Sequence, residues 1–535
     1  MGIAEKKPDT LHSICGKEAD RYRPAIATLL RGELPAGWHW VPCSRDAVVA
    51  ATDAEPVVYY KEFLPRGPLE RVKGWLRGSR GQRACRQIDI LSDAGLGSPT
   101  SLCWGRGRSN EFLLTSGFKG CGFFQFLKRH FSGPLDAGQL RRKRLLLRQA
   151  GALIGALHSH GISHGDLRQD NLLVRETEQG FAFCFIDNES NRQWRRLPRA
   201  RVRTNLEQFF ICSDDVLSRS DLLRLYTSYC RVYRRFQGKE CRHLFGLVLQ
   251  RSRRRVLSYL VKQRLASVLP INSADGTGWY DPYTPLGRRI EAGDDLLHWY
   301  GQGRFYKKDS AIQVKALAAG HELVVAKRFR RRGLVALLKV WCGLERPPRL
   351  WRLSQHFLAL GIPIARPMGY LLAGHGLWRR DSYFFSAHAG AKEDLLSLSR
   401  KEPQLIGRLA ERHLFVHVAF YLARLHNNGY CHGDTKWANI MVDVESAAVL
   451  FIDLDGAAHV KQPWHRSIIK DVSRFVVDML EQGVPAADIR KFIKEYSNMR
   501  FANSRQLPEK IMPHISKALA RHNRHDIDPY AVRLD

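Results

Sequence analysis

The chain has 535 residues, of which 44% are hydrophobic and 26% are charged. This composition is typical of a folded protein, and the length exceeds that of one domain, so two large domains or three small ones are expected. The 85 Lys and Arg residues exceed the 52 Asp and Glu residues by 33, and this net charge indicates an anionic partner: nucleic acid, an anionic membrane surface or a phosphorylated substrate.

Several classes of protein are excluded by the same inspection. The polar N-terminus lacks the apolar segment of a signal peptide, and no stretch approaches 18 uninterrupted apolar residues, so no membrane span is predicted. The 11 cysteines form no C-x-x-C motif, which argues against a zinc or thioredoxin-like site and for scattered, reduced thiols. We therefore expect a cytoplasmic protein.

The first predicted elements are a strand, a helix and a hairpin. The run VVYYKEF is β-branched and aromatic, which predicts a strand that carries Lys61. Leu153 and Leu157 lie at helical spacing just before the sequence LHSHGISHGDLRQDNLLV. Two short strands follow, and the second ends in FCFID with Asp187. The H-G-D sequence that contains Asp166 is therefore predicted to lie on a loop between a helix and a β-hairpin.

A second copy of this order follows a predicted boundary. A stretch rich in Gly, Pro, Asp and Ser predicts a linker at 269–296 between domains at 20–268 and 297–525. The strand LVVAKRF then carries Lys327, and the sequence LHNNGYCHGDTKWANIMV carries Asp434. The buried helix predicted before that sequence has apolar residues at helical spacing: Leu414, Val418, Leu422 and Leu425.

The two copies keep a nearly constant offset. The H-G-D aspartates lie 268 residues apart (434 − 166), and each is followed five residues later by an asparagine, Asn171 or Asn439. The aspartates that end the FCFID and LFID strands, Asp187 and Asp453, lie 266 residues apart (453 − 187), as do the strand lysines (327 − 61). Four landmarks in one order at nearly one offset indicate a duplicated domain.

The repeated residues supply the parts that phosphoryl transfer requires. One carboxylate orients the attacking hydroxyl and accepts its proton, and this is the catalytic role predicted for Asp166 and Asp434. The predicted metal ligands are Asn171, Asp187, Asn439 and Asp453. The predicted nucleotide-binding lysines, which contact the α/β-phosphates, are Lys61 and Lys327. His164 and His432 are predicted to anchor the loop rather than to transfer protons.

This set of motifs resembles the protein-kinase-like superfamily, whose members carry H-R-D-x-x-x-x-N, D-F-G and V-A-I-K. The sequence VVAK at 324–327 matches the last motif. The H-G-D form with F-I-D-L-D-G is most similar to bacterial lipopolysaccharide core kinases that act on heptose or 3-deoxy-manno-octulosonate. Those kinases share an Arg-rich segment after the strand and a helix ending in G-I-P-x-x-x-P, which read AKRFRRRG (326–333) and LGIPIARP (360–367) here.

The resemblance implies an α+β fold of two tandem protein-kinase-like bilobal domains, each with a β-rich N-lobe and a helical C-lobe. It implies ATP and Mg²⁺ as cofactors and a sugar hydroxyl of the lipopolysaccharide inner core as the acceptor. Lys436, two residues after Asp434, then matches the catalytic lysine that neutralises the γ-phosphate, and Arg168 is its counterpart. Asp455 is a candidate second carboxylate at the metal, where the first copy has Glu189.

Two parts of the kinase pattern are not evident in the sequence. No strong G-x-G-x-x-G loop precedes either lysine, and the candidate phosphate loop of the second copy is YKKDSAIQ, with Lys307. The helix glutamate that pairs with the strand lysine is also missing, since the first copy offers only Arg86 and Gln87 and the second offers Glu345. The sequence therefore leaves the partner carboxylate of both lysines open.

Three basic runs, at 141–148, 192–203 and 251–255, are predicted to form a surface for anionic lipid or phosphorylated glycolipid, which would place the protein peripherally on the inner membrane. Nucleic acid is not expected as a partner, because no zinc-finger, RNP-like or helix-turn-helix signature accompanies the charge. Two alternatives stay open. One is another small-molecule phosphotransferase, against which the high positive charge argues. The other is a pseudokinase scaffold that binds nucleotide or membrane without catalysis.

Overall fold

The computed structural model describes residues 9–43, 47–64, 79–211, 216–330, 344–374, 381–500 and 507–532. It divides the chain into two compact units, Met1–Val256 and Leu257–Asp535. Within each unit a sheet-rich lobe precedes a helical lobe, which confirms the predicted fold class of two bilobal, protein-kinase-like domains. The last three residues of the Arg-rich segment 326–333 lie outside the described residues.

The first unit begins with a six-stranded antiparallel sheet. In spatial order its strands are Leu11–Cys15, Ser101–Gly107, Glu111–Ser116, Val58–Phe63, Ala47–Thr52 and Trp38–Val41. The helices of this lobe are Ala19–Leu30 and Arg80–Asp93. Tyr60 and Phe112 from adjacent central strands are fully buried against Leu29 of the first helix. The sheet therefore starts before the predicted domain start at residue 20, because its edge strand is needed to cover this core.

The helical lobe of the first unit packs around a core of aliphatic and aromatic side chains, among them Leu147, Ile154, Leu206 and Tyr229. Its α-helices are Phe123–His130, Ala137–Ser159, Arg199–Phe209, Arg219–Val232 and Gly238–Leu265, the last of which crosses the unit boundary. Its short strands are Cys121–Gly122, Leu172–Thr177 and Gly180–Phe185, which form one sheet, and the pair Ile162–Ser163 and Arg192–Gln193. Single 3₁₀ turns lie at Gln169–Asn171 and Asn188–Ser190.

The second unit begins with a seven-stranded antiparallel sheet. In spatial order its strands are Leu269–Ser273, Gly276–Tyr280, Pro367–Ala373, Ser382–Ala387, Glu322–Phe329, Ile312–Ala319 and Arg304–Lys308. The helices of this lobe are Pro285–Glu291, Leu296–Gln302 and Arg346–Ala359. Val324, Ala326 and Phe385 from two neighbouring strands are fully buried in its core.

The predicted linker at 269–296 is wrong. Its first residues form a hairpin whose second strand, Gly276–Tyr280, pairs with Pro367–Ala373 inside the second unit. A Cβ at Gly276 or Gly278 would lie about 2 Å from a backbone oxygen of that neighbouring strand. These glycines therefore allow two backbones to approach closely, and a linker was predicted because the same residue also marks flexible connections.

The helical lobe of the second unit contains the predicted helix with Leu414, Val418, Leu422 and Leu425, all of which are buried. The α-helices are Leu395–Lys401, Pro403–Glu411, Leu414–Asn427, Arg466–Glu481, Ala486–Met499 and Leu507–Arg521. The short strands are Glu393–Asp394, Ile440–Val442 and Val449–Phe451, which form one sheet, and the pair Tyr430–Cys431 and Ala458–His459. The 3₁₀ turns are Trp437–Asn439, Leu454–Gly456 and Pro529–Val532.

Candidate active site

The H-G-D loop of the first unit lies between a buried helix and a β-hairpin, as predicted. Asn171 donates from Nδ2 to the backbone oxygen of Asp166 at 2.8 Å and lies 3.4 Å from its Oδ2. That same Oδ2 accepts from the guanidinium of Arg168, whose Nε and Nη2 lie 2.8 and 2.7 Å away. The predicted base and the predicted metal-binding amide are therefore neighbours, and an arginine forms an ion pair with the base.

The second unit repeats this arrangement with one substitution. Asn439 donates from Nδ2 to the backbone oxygen of Asp434 at 2.9 Å and to its Oδ2 at 3.0 Å. Lys436 takes the place of the arginine, and its Nζ lies 3.1 Å from Asp434 Oδ2. Both side chains are more than one third exposed, so the carboxylate and the ammonium are accessible to a bound substrate.

The glycine of H-G-D is explained by a close backbone contact. Gly433 has a φ of +87°, and a Cβ there would lie 2.2 Å from the backbone oxygen of Gly456. A Cβ at Gly165 would likewise lie 2.2 Å from the Cβ of Ser190. Each catalytic loop thus packs directly on the segment that follows the strand-end aspartate, and a side chain at this position would separate them.

The strand-end aspartates meet the strand lysines. Asp187 and Asp453 adopt left-handed backbone conformations, with φ of 62° and 60°, which is uncommon outside glycine and is typical of functional sites. Lys61 Nζ lies 2.5 Å from Asp187 Oδ1, and Lys327 Nζ lies 2.7 Å from Asp453 Oδ1. Because side chains alternate along a strand, each lysine is on the face opposite to the N-lobe core residue that precedes it, Tyr60 in the first unit.

The structure supplies acidic partners for the lysines that the sequence left open. They lie two residues beyond the strand-end aspartates: Lys327 Nζ is 2.7 Å from Asp455 Oδ2, and Lys61 Nζ is 3.9 Å from Glu189 Oε2. In the first unit the N-lobe helix instead contributes Arg80, which binds Glu189. A glutamate on the helix could not be predicted, because in the first unit the helix carries the arginine and the acid follows the strand.

The charges of the site shift the pKa of its acids. Burial alone would raise the pKa of Asp187 and Asp453, but Lys61 and Lys327 outweigh it and hold both pKa values below the ordinary value of 3.8. Both carboxyls are therefore ionised near neutral pH, the form that binds a cation.

The H-G-D histidines are buried and neutral. Burial lowers the pKa of His164 and His432 below 6.5, against the opposing effect of neighbouring aspartates. In the first unit, His164 Nδ1 accepts from the backbone N–H of Asp166 at 3.1 Å, so Nε2 carries the proton and donates to the backbone oxygen of Ile186 at 3.1 Å. These bonds support the expected anchoring role of the histidine.

A second set of anchors was missed in the sequence. Asp471 is fully buried and accepts from the backbone N–H of His432 at 2.7 Å and of Gly433 at 2.8 Å. It also accepts from His426 Nε2 at 3.1 Å, while His426 Nδ1 contacts the hydroxyl of Tyr496 at 2.7 Å. This network holds the backbone of the catalytic loop in place.

In the first unit the corresponding anchor is Asn205, whose Oδ1 accepts from the backbone N–H of His164 at 3.0 Å. His158 Nε2 lies 3.3 Å from the same oxygen, and its Nδ1 lies 3.0 Å from the hydroxyl of Tyr229. His158 and His426 are the histidines of the repeated L-H-x-x-G sequence. The repeated motif and its constant offset could have revealed these two histidines in the sequence.

A cleft of about 650 Å³ lies between the lobes of the first unit. Lys61, Asn171, Asp187 and Glu189 line it together with apolar side chains from the sheet and the hairpin. Its volume falls in the range of about 300–1,000 Å³ that is usual for small-molecule and cofactor sites. The cleft therefore has room for a nucleotide next to the predicted metal ligands.

The YKKDSAIQ segment of the second unit forms a tight turn between the two strands that precede the lysine strand. Lys307 Nζ lies 2.9 Å from Asp309 Oδ2. The pKa of Lys307 is raised chiefly by Asp309, and more weakly by Asp453 and Asp455. Lys307 thus lies in the strand before the turn, near enough to the site aspartates for them to raise its pKa slightly.

The predicted basic surface is partly internal. Lys143, in the run 141–148, is buried, donates to the backbone oxygen of Val216 and lies 3.0 Å from Asp221 Oδ2. Glu207 is only 3% exposed and binds three arginines of the other two runs, Arg203, Arg251 and Arg255, at 3.3–3.5 Å. Part of the basic charge in these runs is therefore neutralised within the fold and is not available to a partner.

Two features of the described residues bear on cation binding and on membranes. Among the residues that the structure describes, no cluster of three or more His, Cys, Asp or Glu side chains could hold a metal ion. Mg²⁺ is usually bound by one or two protein carboxylates together with substrate phosphates, so a site of two acids and an asparagine fits it. No helix in the described ranges is long and apolar enough to cross a membrane.

Two segments of the chain match the sequence model of a known protein family. Residues 126–229 and 337–496 match the sequence model described as "Lipopolysaccharide kinase (Kdo/WaaP) family". Both halves contain a segment of this lipopolysaccharide kinase family. The match confirms the resemblance predicted from the motifs, and it identifies the chain as a phosphotransferase of the kinase type for which ATP is the expected phosphoryl donor. No curated protein sequence matches the chain.

Similar solved structures include WaaP in complex with acyl carrier protein, at 17% identity and a TM-score of 0.33, covering 45% of this chain and 99% of WaaP. The PknI kinase domain of Mycobacterium tuberculosis has 14% identity and a TM-score of 0.24, with coverage of 40% and 96%. WbdD has 17% identity and a TM-score of 0.25, with coverage of 39% and 50%. The assignment to the lipopolysaccharide kinases rests on the two family segments and on the repeated site.

Proposed function

We propose that this lipopolysaccharide kinase uses Mg·ATP to phosphorylate a sugar hydroxyl of the lipopolysaccharide inner core, heptose or a related sugar. The observation that carries the proposal is the paired geometry of each unit, in which the loop aspartate contacts the asparagine and the strand-end aspartate contacts the lysine. The family match supplies the acceptor class.

In the second unit, Asp434 is the catalytic carboxylate. Its side chain orients the acceptor hydroxyl and accepts the hydroxyl proton as the oxygen attacks the γ-phosphorus, while the bond from that phosphorus to the β-phosphate oxygen breaks and ADP leaves. Lys436, at 3.1 Å from that carboxylate, is close enough to neutralise charge on the transferred phosphoryl group. Lys327 binds the α/β-phosphates, and its pairing with Asp453 holds its ammonium beside the predicted metal ligand.

The first unit has the same parts: Asp166 as the base, Lys61 for the phosphates, and Arg168 at the position of Lys436. The fixed guanidinium of Arg168 contacts Asp166 through two nitrogens, which orients the carboxylate more strictly than a single ammonium does. Arg168 also supplies the positive charge that phosphoryl transfer requires.

Magnesium fits the residues of both units. Asn171 with Asp187, and Asn439 with Asp453, present the oxygen ligands that Mg²⁺ prefers, and both aspartates are ionised at neutral pH. A cation held by these residues would offset the negative charge of the ATP phosphates. The asparagine–aspartate contacts then couple the position of the metal ligand to the position of the base.

Arginines and lysines on the exposed parts of the basic runs support a peripheral location on the inner membrane. Arg144, Arg195 and Arg254, one from each run, are exposed, so part of the basic charge remains accessible. A core glycolipid carries anionic groups and sits in a membrane whose surface is negative, and such a surface attracts exposed basic residues.

The test uses core oligosaccharide from a strain that lacks the protein. Mass spectrometry is expected to show the loss of phosphate, which the wild-type gene restores and an Asp166→Asn/Asp434→Asn double variant does not. Asp443→Asn is the matched control, because this aspartate caps a turn of the adjacent hairpin through Ser446. An unchanged mass would remove the lipopolysaccharide acceptor. If the double variant restores the core phosphate as well as the wild-type gene does, these aspartates do not catalyse the transfer. The protein would then be a non-catalytic scaffold.

A further inference from the structure

The two units differ in the acid that follows the strand-end aspartate by two residues. In the first unit this acid is Glu189, and Arg80 Nη2 lies 2.8 Å from its Oε1 and 3.1 Å from its Oε2. Both side chains are less than one tenth exposed. The buried bidentate pair fixes the carboxylate toward the N-lobe helix and neutralises its charge.

The equivalent acid of the second unit has a different environment. Asp455 Oδ2 lies 2.7 Å from Lys327 Nζ, which also lies 2.7 Å from Asp453 Oδ1. One ammonium therefore serves two carboxylates. The other oxygen, Asp455 Oδ1, is buried and has no hydrogen-bond partner among the residues that the structure describes. A buried carboxylate oxygen without a partner is costly, and it is explained when a ligand satisfies it.

We propose that Asp455 is a third protein ligand of the divalent cation in the second unit, and that the first unit binds its cation through Asn171 and Asp187 alone. The inference rests on the proposed function, because it assigns a further residue to the Mg·ATP site. Cation affinity increases with the charge and number of the oxygen ligands. The second unit is therefore the tighter cation site, and the two halves work over different ranges of Mg²⁺ concentration.

The experiment locates the cation in each unit separately. The full chain is mixed with Fe²⁺, ascorbate and a non-hydrolysable ATP analogue, so that radicals formed at the bound iron cut the nearby backbone. Fragments cut near residue 187 and near residue 454 are quantified by mass spectrometry as the Fe²⁺ concentration is raised. In the wild-type protein, half-maximal cutting near 454 is expected at a lower Fe²⁺ concentration than cutting near 187. Equal concentrations for the two units would overturn the proposal without any variant.

Variants then assign the difference to Asp455. Asp455→Asn is expected to raise the half-maximal concentration for cutting in the second unit at least about tenfold, since even loss of an indirect support of a metal ligand costs 10–100-fold in affinity. Cutting in the first unit is unchanged and serves as the internal reference. The matched control is Asp443→Asn, which removes one carboxylate from the hairpin turn of the second unit, and it leaves both concentrations within about twofold of wild type.

The outcomes separate this inference from the proposed function. If Asp455→Asn leaves cutting near 454 unchanged while Asp453→Asn abolishes it, Asp455 is not a ligand and the Mg·ATP site stands. If Asp453→Asn also has no effect, the cation does not bind at this segment and the proposed site falls with the inference. If Arg80→Gln/Glu189→Gln, which removes the buried ion pair without changing the net charge, raises the concentration for the first unit tenfold, Glu189 is a ligand and the claimed difference between the units is wrong. Circular dichroism of each variant verifies its fold.

Discussion

Asp471→Asn is expected to loosen the catalytic loop of the second unit. The two oxygens of Asp471 accept separately from the backbone N–H groups of His432 and Gly433, at 2.7 and 2.8 Å. An asparagine keeps one oxygen and turns an N–H₂ group toward the other donor. One backbone N–H then loses a charge-assisted bond and stays buried without an acceptor.

The magnitude follows from these bonds. A hydrogen bond to a charged group contributes about 1.5–3 kcal/mol, and a buried donor without a partner costs about 1–3 kcal/mol. Because the two effects overlap, the loop is expected to lose about 2–4 kcal/mol of local stability. At 1.36 kcal/mol per factor of ten, this corresponds to amide exchange that is roughly 30- to 1,000-fold faster.

Hydrogen exchange followed by mass spectrometry measures this directly on the full chain. Peptides that contain His432 and Gly433 are expected to exchange faster in the variant, while those with His164 and Gly165 in the first unit are unchanged. The reverse substitution, Asn205→Asp, should also destabilise its loop, because Asn205 Nδ2 donates to the backbone oxygen of His164 at 2.6 Å and a carboxylate cannot. Exchange within about threefold of wild type in the Asp471→Asn loop would refute the anchoring role.

Three further predictions concern the charged residues of the site. Lys327→Met is expected to weaken binding of an ATP analogue in the second unit about tenfold or more, measured by calorimetry, because a phosphate-binding charge is lost; unchanged affinity would contradict the role of this lysine. Since Lys327 keeps the pKa of Asp453 below its unfolded value of 3.8, that carboxylate stabilises the fold above pH 3.8, and its contribution is lost as the pH falls through the lower folded pKa. The stability difference between wild type and Lys327→Met, followed by urea unfolding, should therefore shrink below pH 3.8 and stay constant near neutral pH; a constant difference throughout would contradict the pairing. Arg80→Met leaves Glu189 buried without its main cation and should cost about 3–5 kcal/mol in urea unfolding, whereas Arg80→Met/Glu189→Met should cost much less; equal losses would show that the pair itself is not what matters.

The candidate site residues could be predicted from the sequence because local rules determine where they lie. A strand of β-branched residues places Lys61 or Lys327 opposite the core, and a fixed interval of five residues brings the loop asparagine back to its aspartate. The tandem fold followed from the constant offset between copies. These features depend on spacing along the chain, which a sequence displays directly.

The missed residues depend on contacts between distant segments. Asp471 lies 38 or 39 residues beyond the amides it binds. The first unit has Asn205 at the same offset of 266 residues (471 − 205), but the residue type differs, so identity between the copies did not mark the pair. Glu189 was recognised in the sequence only as the residue at the position of Asp455, and its partner Arg80 lies 109 residues earlier. The linker at 269–296 was predicted from glycines that serve strand packing, and composition alone does not distinguish these uses.

The comparison between the units shows which parts of the site tolerate change. The loop amide of Gly433 is bound by Asp471, whereas that of Gly165 is bound by Asn191 at 3.0 Å, so the amide requires an acceptor in the right place and not a particular residue. Lysine, aspartate and asparagine at the cleft are identical in both units, because phosphate charge, proton acceptance and cation binding each require a specific group. The difference between Asp455 and Glu189 lies at such a chemical position and not at a scaffold position. It is therefore expected to alter cation binding rather than folding, and this is why we infer that the two halves differ in function.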